Sequence, residues 1–525
     1  MLDVLPHSSP TKNDPKMEPH KVSIPEFFTG KNIFITGATG FMGKALIEKL
    51  LRSCPAIGTI YVLVRPKKGK ELHERLQQLT ANALYDRLKD EQPNLKFEDK
   101  IKPLAGEMTA LQLGLSATDR QTIIDNVHVI YHVAASVRFD DSLKYATIMN
   151  VRGTREVCQL SLDTKNLQAH IHVSTAFVNC DRPEAGEVLY PPSMDWRQLI
   201  EIAENFNSDE LAILGEKFIS PMPNTYCFTK NIAEHVVNDM CMGRIPAKIF
   251  RPSIVVGTMK EEPVAGWIDN FNGPVGILTG FGKGIVRSIY AHKNYKPDYI
   301  PVDVATKALV ACTWDLALRA PTVPEVLQCT SYSVDWLRPS IEQLASCAEI
   351  SHKEIPMNDI LWHLNPNVTN STTMCYVRTI LFMLLPSLLV DGLLKVSGRK
   401  PMLTRLQKRM YVAQLALRYF LNNEWLYSND NLLALQKRVL AQDHADWDYD
   451  FATYDFQTYI RQSILGCRRY LLKEPDATLP RARRHAVRMY WLNIVVQAMF
   501  VCLVMWIVGR MDFVQGGFEK ISGRF

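Results

Sequence analysis

Paired cysteines are missing from this chain: 11 are present, none in a C-x-x-C pair and none set against histidines at the offsets a zinc site needs. That excludes a disulfide framework and a finger-type metal site, and makes a reducing compartment the simplest setting. An excess of one charge sign is missing too. The 60 lysines and arginines face 54 aspartates and glutamates, a net of +6. This fits an anionic ligand or a membrane surface, and with no basic tract interleaved with aromatics no nucleic acid partner is expected. No internal repeat is found, which sets solenoids and propellers aside. The stretch from Met1 to about His20 is polar and Pro-rich with no apolar h-region. It reads as a disordered segment, residues 1–24, rather than a secretory signal, and the folded body is expected to face the cytosol.

From Lys31 onward, short β-branched runs alternate with longer amphipathic stretches, the pattern of a parallel sheet flanked by helices. Strands are expected over residues 32–36, 59–64, 100–104, 127–133, 169–174 and 247–250, with helices such as 41–53, 71–89, 143–162 and 224–242 between them. That order spells an α/β fold with a doubly wound, Rossmann-type parallel sheet. The acidic stretch 181–219 lacks a strand pattern and reads as an insertion at the sheet's C-terminal edge, and residues from about 257 to 330 are expected to fold back as a substrate lobe. The expected division is a dinucleotide-binding domain over 25–332, a mostly helical C-terminal domain over 333–475 carrying Trp336, Trp362, Trp425 and Trp447, a transmembrane helix over 489–509 and a tail over 510–525.

Two apolar runs differ in kind. The stretch 379–394 is broken by Pro386 and Asp391 and is shorter than the roughly 20 residues that span a bilayer; a buried or interfacial helix is expected, most simply ordinary core. The run 489–509 has Asn493 and Gln497 as its strongly polar members and Trp491 and Trp506 near its ends, and it is long enough to cross. Arg468, Arg469, Lys473, Arg481, Arg483, Arg484 and Arg488 precede it, against Arg510, Lys520 and Arg524 after it. The positive-inside tendency then keeps the body cytosolic and sends the tail across. A hydrophobic core helix, or a hairpin that does not cross, is the alternative.

Thr36-Gly37-Ala38-Thr39-Gly40-Phe41-Met42-Gly43 follows the first expected strand and opens the first helix. Gly37 permits the tight turn, Gly40 lets the backbone approach a pyrophosphate, and Gly43 lets the helix pack close to the sheet. With Thr39 and Phe41 they form the candidate phosphate loop at a helix N-terminus, whose unpaired N–H groups favour anions. Where an acid after the second strand would hold the ribose hydroxyls of NAD, the chain reads Val64-Arg65-Pro66-Lys67-Lys68. Arg65, with Lys67 or Lys68 beside it, suits a 2′-phosphate, so NADPH is the expected cofactor; a solvated basic loop is the alternative. Glu107, in Gly106-Glu107-Met108 after the third strand, is placed for an adenine contact, and Ala134, with Ala135, after the fourth leaves the cofactor room.

Tyr226 and Lys230 stand four apart on one helix face. A phenol near pKa ~10 is a poor acid–base group at neutral pH, and a neighbouring ammonium brings it down by stabilising phenolate. Ser174-Thr175-Ala176 closes the preceding strand with hydroxyls able to polarise a carbonyl. Asn150, in Asn150-Val151-Arg152-Gly153-Thr154, lies on the helix before it. Arg251-Pro252-Ser253-Ile254-Val255-Val256-Gly257 supplies, through Pro252 and Ile254, a turn able to hold a carboxamide.

In chain order these residues resemble the extended short-chain dehydrogenase/reductase superfamily and, more narrowly, the fatty acyl-CoA reductases. The narrower likeness rests on Thr36 to Gly43, His172-Val173-Ser174-Thr175-Ala176-Phe177-Val178-Asn179, the Tyr226/Lys230 pair, Arg251 to Gly257, Tyr299-Ile300-Pro301-Val302-Asp303 and the helical C-terminal region with its apolar run, over roughly residues 25 to 510. It implies that Thr175, immediately before the alanine, polarises the carbonyl in preference to Ser174, that Tyr226 supplies the proton and that Lys230 supports it. It further implies that long-chain acyl-CoA is reduced by NADPH through an aldehyde to an alcohol, with release of CoA, at a membrane bilayer. About 50 residues separate Thr175 from Tyr226, where half that is usual in the superfamily; the acidic insertion accounts for the difference. Lys283 and Arg287, beside Gly280-Phe281-Gly282, are candidate contacts for CoA phosphates. The endoplasmic reticulum is the first expected membrane, with peroxisomes or lipid droplets next, and a homo-oligomer stays open. Two other readings keep the motifs: a membrane-bound sterol dehydrogenase, which needs no helical domain after Ser333 and favours NAD, and a non-catalytic nucleotide-binding scaffold at a lipid surface. The Arg65 reading predicts that Arg65→Ala raises the KM for NADPH on the order of tenfold to hundredfold, the range for losing a charged hydrogen bond, with a far smaller change for NADH; equal changes remove the 2′-phosphate argument.

Overall fold

The computed structural model describes residues 20–66, 71–260, 264–334, 337–450 and 454–510; Lys67, Lys68, Trp336, Lys520, Arg524 and the segment ahead of His20 lie outside them. Seven strands make the central sheet: β1 (Ile33–Thr36), β2 (Ile60–Val64), β3 (Ile101–Ala105), β4 (Val129–His132), β5 (Ala169–Val173), β6 (Ala247–Pro252) and β7 (Glu325–Cys329). Their order is β3-β2-β1-β4-β5-β6-β7, and every neighbouring pair is parallel. The winding reverses between β1 and β4, which opens a crevice at their carboxyl ends. Helices α1 (Phe41–Ser53) and α4 (Val302–Arg319) pack on one face through Leu46, Leu50, Ala305 and Leu309. On the other face lie α2 (Gly153–Asp163), through Val157 and Leu160, and α3 (Thr225–Cys241), through Ile232 and Val236. The strands read as apolar runs because both faces are covered.

Six strands fall within two residues of where the β-branched runs put them. The seventh lies inside the stretch expected to form a substrate lobe. Its Glu325 and Gln328 blur the apolar pattern, and tertiary pairing decides it: Lys248 on β6 reaches Glu325 at 3.1 Å, and the Gln328 amide is tied to Ala185 O at 3.0 Å. The helix expected over 71–89 is broken into Leu72–Thr80, Ala83–Tyr85 and Asp86–Glu91, because Asn82 accepts from Leu84 N–H and starts a new turn. The expected disordered segment ends early as well. The His20 ring bonds Asp315 at 3.1 Å, Trp314 Nε1 donates to Val22 O at 2.9 Å, and Ser23 caps the short helix Ile24–Phe28.

The region after Ser333 packs onto the sheet layer. Leu432, Leu435, Trp447 and Tyr449 share the core of α1 and α4, and the two-residue strand Leu426–Tyr427 pairs in parallel with Glu184–Ala185 of the acidic stretch. A helix Thr372–Thr379 runs through a π turn, Ile380–Leu384, into α5 (Leu385–Val396), which is followed by α6 (Leu403–Leu421). The apolar run 379–394, expected as a buried or interfacial helix, thus lies within 25 residues of helix, Thr372–Val396, and only 17% of its apolar window is buried. Asp391 does not interrupt it: the carboxylate turns inward and accepts from the backbone N–H groups of Met402, Leu403 and Thr404 at 2.8–3.0 Å, capping α6. The last helix, α7 (Leu479–Gly509), has 31 residues, about 46 Å of rise, and begins ten residues before the expected span. Arg468, expected among the basic residues flanking that span, is instead fully buried against Glu474 at 3.0 Å. Arg481, Arg483, Arg484 and Arg488 remain as the exposed basic flank.

Arg251 has a structural task. Its guanidinium is buried and forks onto Glu234 of α3, Nε to Oε1 at 2.8 Å and Nη2 to Oε2 at 2.7 Å, and Nη2 also donates to Val188 O at 3.0 Å. Glu234→Ala would leave that cation buried and unpaired, a loss of about 3–5 kcal/mol. A markedly lower urea midpoint for unfolding is the expected reading, and an unchanged midpoint would show that the backbone carbonyls suffice.

Candidate active site

A cleft of about 1350 Å³ opens over the β1/β4 crevice. Gly37, Thr39, Gly40, Phe41, Gly43, Ala134, Pro252 and Ile254 all line it. The glycines are there for space. A Cβ on Gly43 would stand 2.2 Å from the Gly37 carbonyl oxygen, and one on Gly37, whose φ is +78°, would stand 2.6 Å from Ala134 N. α1 therefore starts hard against the strand end with its first N–H groups facing the cleft, the arrangement that receives a pyrophosphate. Arg65 and Glu107 do not line the cleft. They face each other at 2.7 Å, both exposed, beyond the ends of β2 and β3.

Thr175, Tyr226 and Lys230 do come together. Thr175 sits in the turn after β5, where its hydroxyl accepts from Phe177 N–H at 3.3 Å and lines the cleft with the Tyr226 phenol, whose pKa it pulls down. The long sequence gap between them is taken up by two outlying helices, Trp196–Asn205 and Ser208–Ile219. Tyr226 lies in the first turn of α3, which Asn224 caps by accepting from Cys227 N–H at 2.9 Å. Lys230 is one turn on and buried; its Nζ donates to Val173 O at 2.7 Å and lies 3.2 Å from His172 Nε2. Burial lowers the lysine pKa to about 7, with the Glu234 charge opposing. Burial also raises the Tyr226 phenol above its ordinary value, against the pull of the Thr175 hydroxyl. The expectation that a permanent ammonium depresses the phenol is thus not met. The phenol is held protonated and the lysine is poised near neutrality.

A buried polar layer behind these groups was not foreseen. His132 and His172 are register partners on β4 and β5 with ring centroids 5.0 Å apart. His132 bonds Thr36 Oγ1 at 2.8 Å and Thr154 Oγ1 at 2.9 Å. Burial, and then the Lys230 charge, hold both imidazoles below their ordinary pKa and so neutral. Asn150 lies in a π turn, Thr147–Arg152, that brings its amide within 3.0 Å of Thr229 Oγ1 and lets it accept from Ser136 N–H at 2.9 Å. A histidine closing each of two adjacent apolar strands was the available signal. Sequence spacing also kept Cys158, His170 and Cys241 apart, yet their ligand atoms lie within 4.8 Å of one another. The neighbouring Cys241 thiol, together with burial, raises the Cys158 pKa well above its ordinary value, so Cys158 packs as a neutral thiol.

The outer half of the cleft belongs to α6. Leu406, Met410, Ala413, Leu417 and Phe420, spaced by four and three, form one wall, a helical stripe of about 21 Å. Phe420 meets Phe139 at 5.2 Å, and Phe139 meets Tyr226 at 5.9 Å. The Cys180 carbonyl accepts from both Tyr419 OH at 2.9 Å and Trp425 Nε1 at 3.0 Å, which fixes the end of α6 beside the Thr175 turn. Lys283 and Arg287 are otherwise engaged: Lys283 pairs with Glu474 at 2.6 Å, and Arg287 donates to Phe382 O at 3.2 Å.

A doubly wound sheet with a glycine-lined helix N-terminus, and a hydroxyl pair facing an apolar wall, defines a nicotinamide-dependent reductase of the Rossmann type. A family model described as Male sterility protein, with an NAD-binding title, matches residues 35–309, and a second of the same description matches 382–474. Fatty acyl-CoA reductase 1 of Rattus norvegicus is 37% identical over 92% of this chain and 93% of its own length, and that of Homo sapiens is 36% identical over 92% and 93%. Among solved structures, the reductase domain of a nonribosomal peptide synthetase from Mycobacterium tuberculosis aligns with a TM-score of 0.57 at 18% identity, covering 86% of this chain and 93% of that one. The chain belongs to the fatty acyl-CoA reductase family.

The buried lysine makes stability depend on pH. Unfolded, Lys230 binds its proton up to its ordinary value of 10.5; folded, it loses it near 7. Between those values the unfolded state holds more protons, so stability rises with pH. Without cofactor, the unfolding temperature should climb more from pH 7 to pH 9 in the native chain than in Lys230→Met, and parallel curves would place the lysine in water.

Proposed function

We propose that the chain is an NADPH-dependent, alcohol-forming reductase of long-chain fatty acyl-CoA, with Thr175, Tyr226 and Lys230 at the reacting carbonyl. The observation that carries this reading is the Thr175–Tyr226 hydroxyl pair, set between the glycine loop and the apolar wall of α6. Gly37, Thr39, Gly40, Phe41 and Gly43 would hold the cofactor's pyrophosphate, Ala134, Pro252 and Ile254 its nicotinamide end, Glu107 its adenine and Arg65 its 2′-phosphate. In the free protein Arg65 pairs with Glu107, and a phosphate dianion competes well for an exposed guanidinium. A bound reduced nicotinamide supplies the hydride.

Everything else falls to the chain's own residues. Thr175 and Tyr226 aim their hydroxyls at the thioester oxygen and hydrogen-bond it as negative charge develops. Because burial keeps Tyr226 protonated, it enters the step as a neutral acid and gives its proton to that oxygen. Lys230, close to neutrality, gains its proton readily beside an anionic ligand and then stabilises the phenolate left behind. The hemithioacetal so formed returns its hydroxyl proton to the Tyr226 phenolate as it expels CoA thiolate and leaves an aldehyde, and a second hydride, from a second molecule of reduced cofactor, with the Tyr226 proton would give the primary alcohol. The neutral His132 and His172 add no competing charge behind the lysine. α7, exposed along its apolar length and carrying four arginines in its first turns, anchors the protein in a membrane with the reductase on the basic, cytosolic side; the endoplasmic reticulum fits best.

The full chain in detergent, given NADPH and palmitoyl-CoA, is expected to consume cofactor and release thiol, while a steroid alcohol with NAD stays unchanged. Tyr226→Phe should lower kcat by roughly 10²–10⁴-fold, the usual weight of a general acid, with NADPH binding intact. Substantial turnover by that variant would mean that another group donates the proton.

A further inference from the structure

The apolar surface around α5 is large and one-sided. Leu389 is 71% exposed, Leu393 70% and Val396 90%, and Leu381, Phe382, Leu385, Leu388 and Val390 are exposed beside them. Soluble proteins seldom leave a contiguous apolar face of this size in water. The hairpin is nevertheless firmly built. Pro386 lacks the N–H that would reach the Phe382 carbonyl, and the Arg287 guanidinium donates there instead at 3.2 Å. Asp391 clamps the start of α6.

Two observations say what covers this face. From Thr372 to Leu421 the sequence has one acid, the inward-turned Asp391, and eight basic residues, Arg378, Lys395, Arg399, Lys400, Arg405, Lys408, Arg409 and Arg418. Those from Arg399 to Arg409 are exposed around the hairpin turn, where an anionic leaflet surface attracts them. The face is also continuous with the membrane helix. Arg287 lies over the rings of both Phe382 and Trp362, at 5.5 and 5.4 Å, and Trp362 Nε1 donates to Asn493 of α7 at 2.8 Å. α5 and the apolar part of α7 are thereby held to one side of the molecule.

We infer that the α5–α6 hairpin is immersed in one leaflet of the bilayer and that α6 is the wall along which the acyl chain passes from the membrane plane to Thr175 and Tyr226. The inference rests on the acyl-CoA reading of the site for its substrate, and on the exposed face alone for its membrane contact. Tyr411 and Leu415 of α6 are exposed on the lipid side, while Leu406, Ala413, Leu417 and Phe420 line the cleft. The helix therefore presents apolar groups to the bilayer and to the site at once. An acyl chain following this stripe stays out of water, while its thioester arrives at the hydroxyl pair. Arg409, which lines the cleft and is exposed near the hairpin turn, stands where a phosphate-bearing head group would remain at the leaflet surface.

The test uses the full chain in vesicles of phosphatidylcholine and phosphatidylserine. Cys347→Ser and Cys502→Ser remove its two non-buried thiols among the described residues, and an environment-sensitive fluorophore is placed at Leu389→Cys, Leu393→Cys or, as a water-facing control, Lys165→Cys. Labels at 389 and 393 are expected to emit in the blue and to be quenched by doxyl-lipids, unlike the label at 165. Emission matching the control overturns the membrane contact. So does protection without lipid quenching that is lost on dilution, because a second copy would then cover the face. Leu389→Glu with Leu393→Glu should raise the KM for vesicle-bound palmitoyl-CoA on the order of a hundredfold, in line with taking two leucines out of lipid, and leave turnover of butyryl-CoA in solution unchanged. An unchanged KM for palmitoyl-CoA, or an equal loss on both substrates, overturns the entry route. A native chain that reduces no acyl-CoA at all would refute the reading of the site while leaving the label result standing.

Discussion

The carbonyl of Cys180 joins the two halves of this molecule. It follows the turn that carries Thr175, and it accepts from Tyr419 at the end of α6 and from Trp425 just beyond it. A buried carbonyl needs its partners supplied, and here both come from the C-terminal region. An apolar helix that could pack in many registers is thereby fixed against the one turn where chemistry is placed. The aromatic contacts of Phe420 with Phe139 and Phe177, at 5.2 and 5.4 Å, then close the space around the Tyr226 ring. Without this junction the sheet would still bind a dinucleotide, and the apolar wall would have no fixed relation to the reacting atoms.

Burial does the electrostatic work of the site in a way that spacing does not reveal. Lysine and tyrosine four apart on a helix suggest an ion-stabilised phenolate. In the folded chain the same burial lowers the lysine toward neutrality and keeps the phenol protonated. Desolvation penalises the charged form of each group, so the phenol stays protonated and the lysine can gain or lose its proton near pH 7. The layer behind them follows the same rule, with His132 and His172 neutral, His132 tied to the hydroxyls of Thr36 and Thr154 and His172 beside the lysine. The strongly paired charges sit elsewhere: Arg251 with Glu234 holds β6 to α3, and Arg468 with Glu474 holds the last helices. Fixed charges hold the frame while titratable ones face the cleft.

Much of the sheet and the phosphate loop was legible in the sequence. Periodicity works for strands buried on both faces, and glycines are needed where backbone must approach backbone, as at Gly37 and Gly43. The reading failed where side chains act out of period. β7 is polar at Glu325 and Gln328 because neighbouring charges and carbonyls receive them, and the apolar run around Pro386 looks broken only until Asp391 is seen folding back on α6. Phe139, Phe420 and the stripe along α6 went unread because their meaning lies in what they face.

By itself the sequence determined the class of fold, the place where a dinucleotide's phosphates meet a helix end, and which hydroxyl and ammonium groups stand in register on strand and helix. Those are local properties, set by backbone geometry and by a repeat of two or of 3.6 residues. Only the tertiary structure decided that Thr175 and Tyr226 line one cleft, that Lys230 is poised near neutrality, that Arg251, Lys283 and Arg468 are taken up by buried carboxylates, and that α5 lies bare while α6 borders the cleft. Contact, desolvation and exposure depend on which distant segments meet, and no window along the chain contains that information.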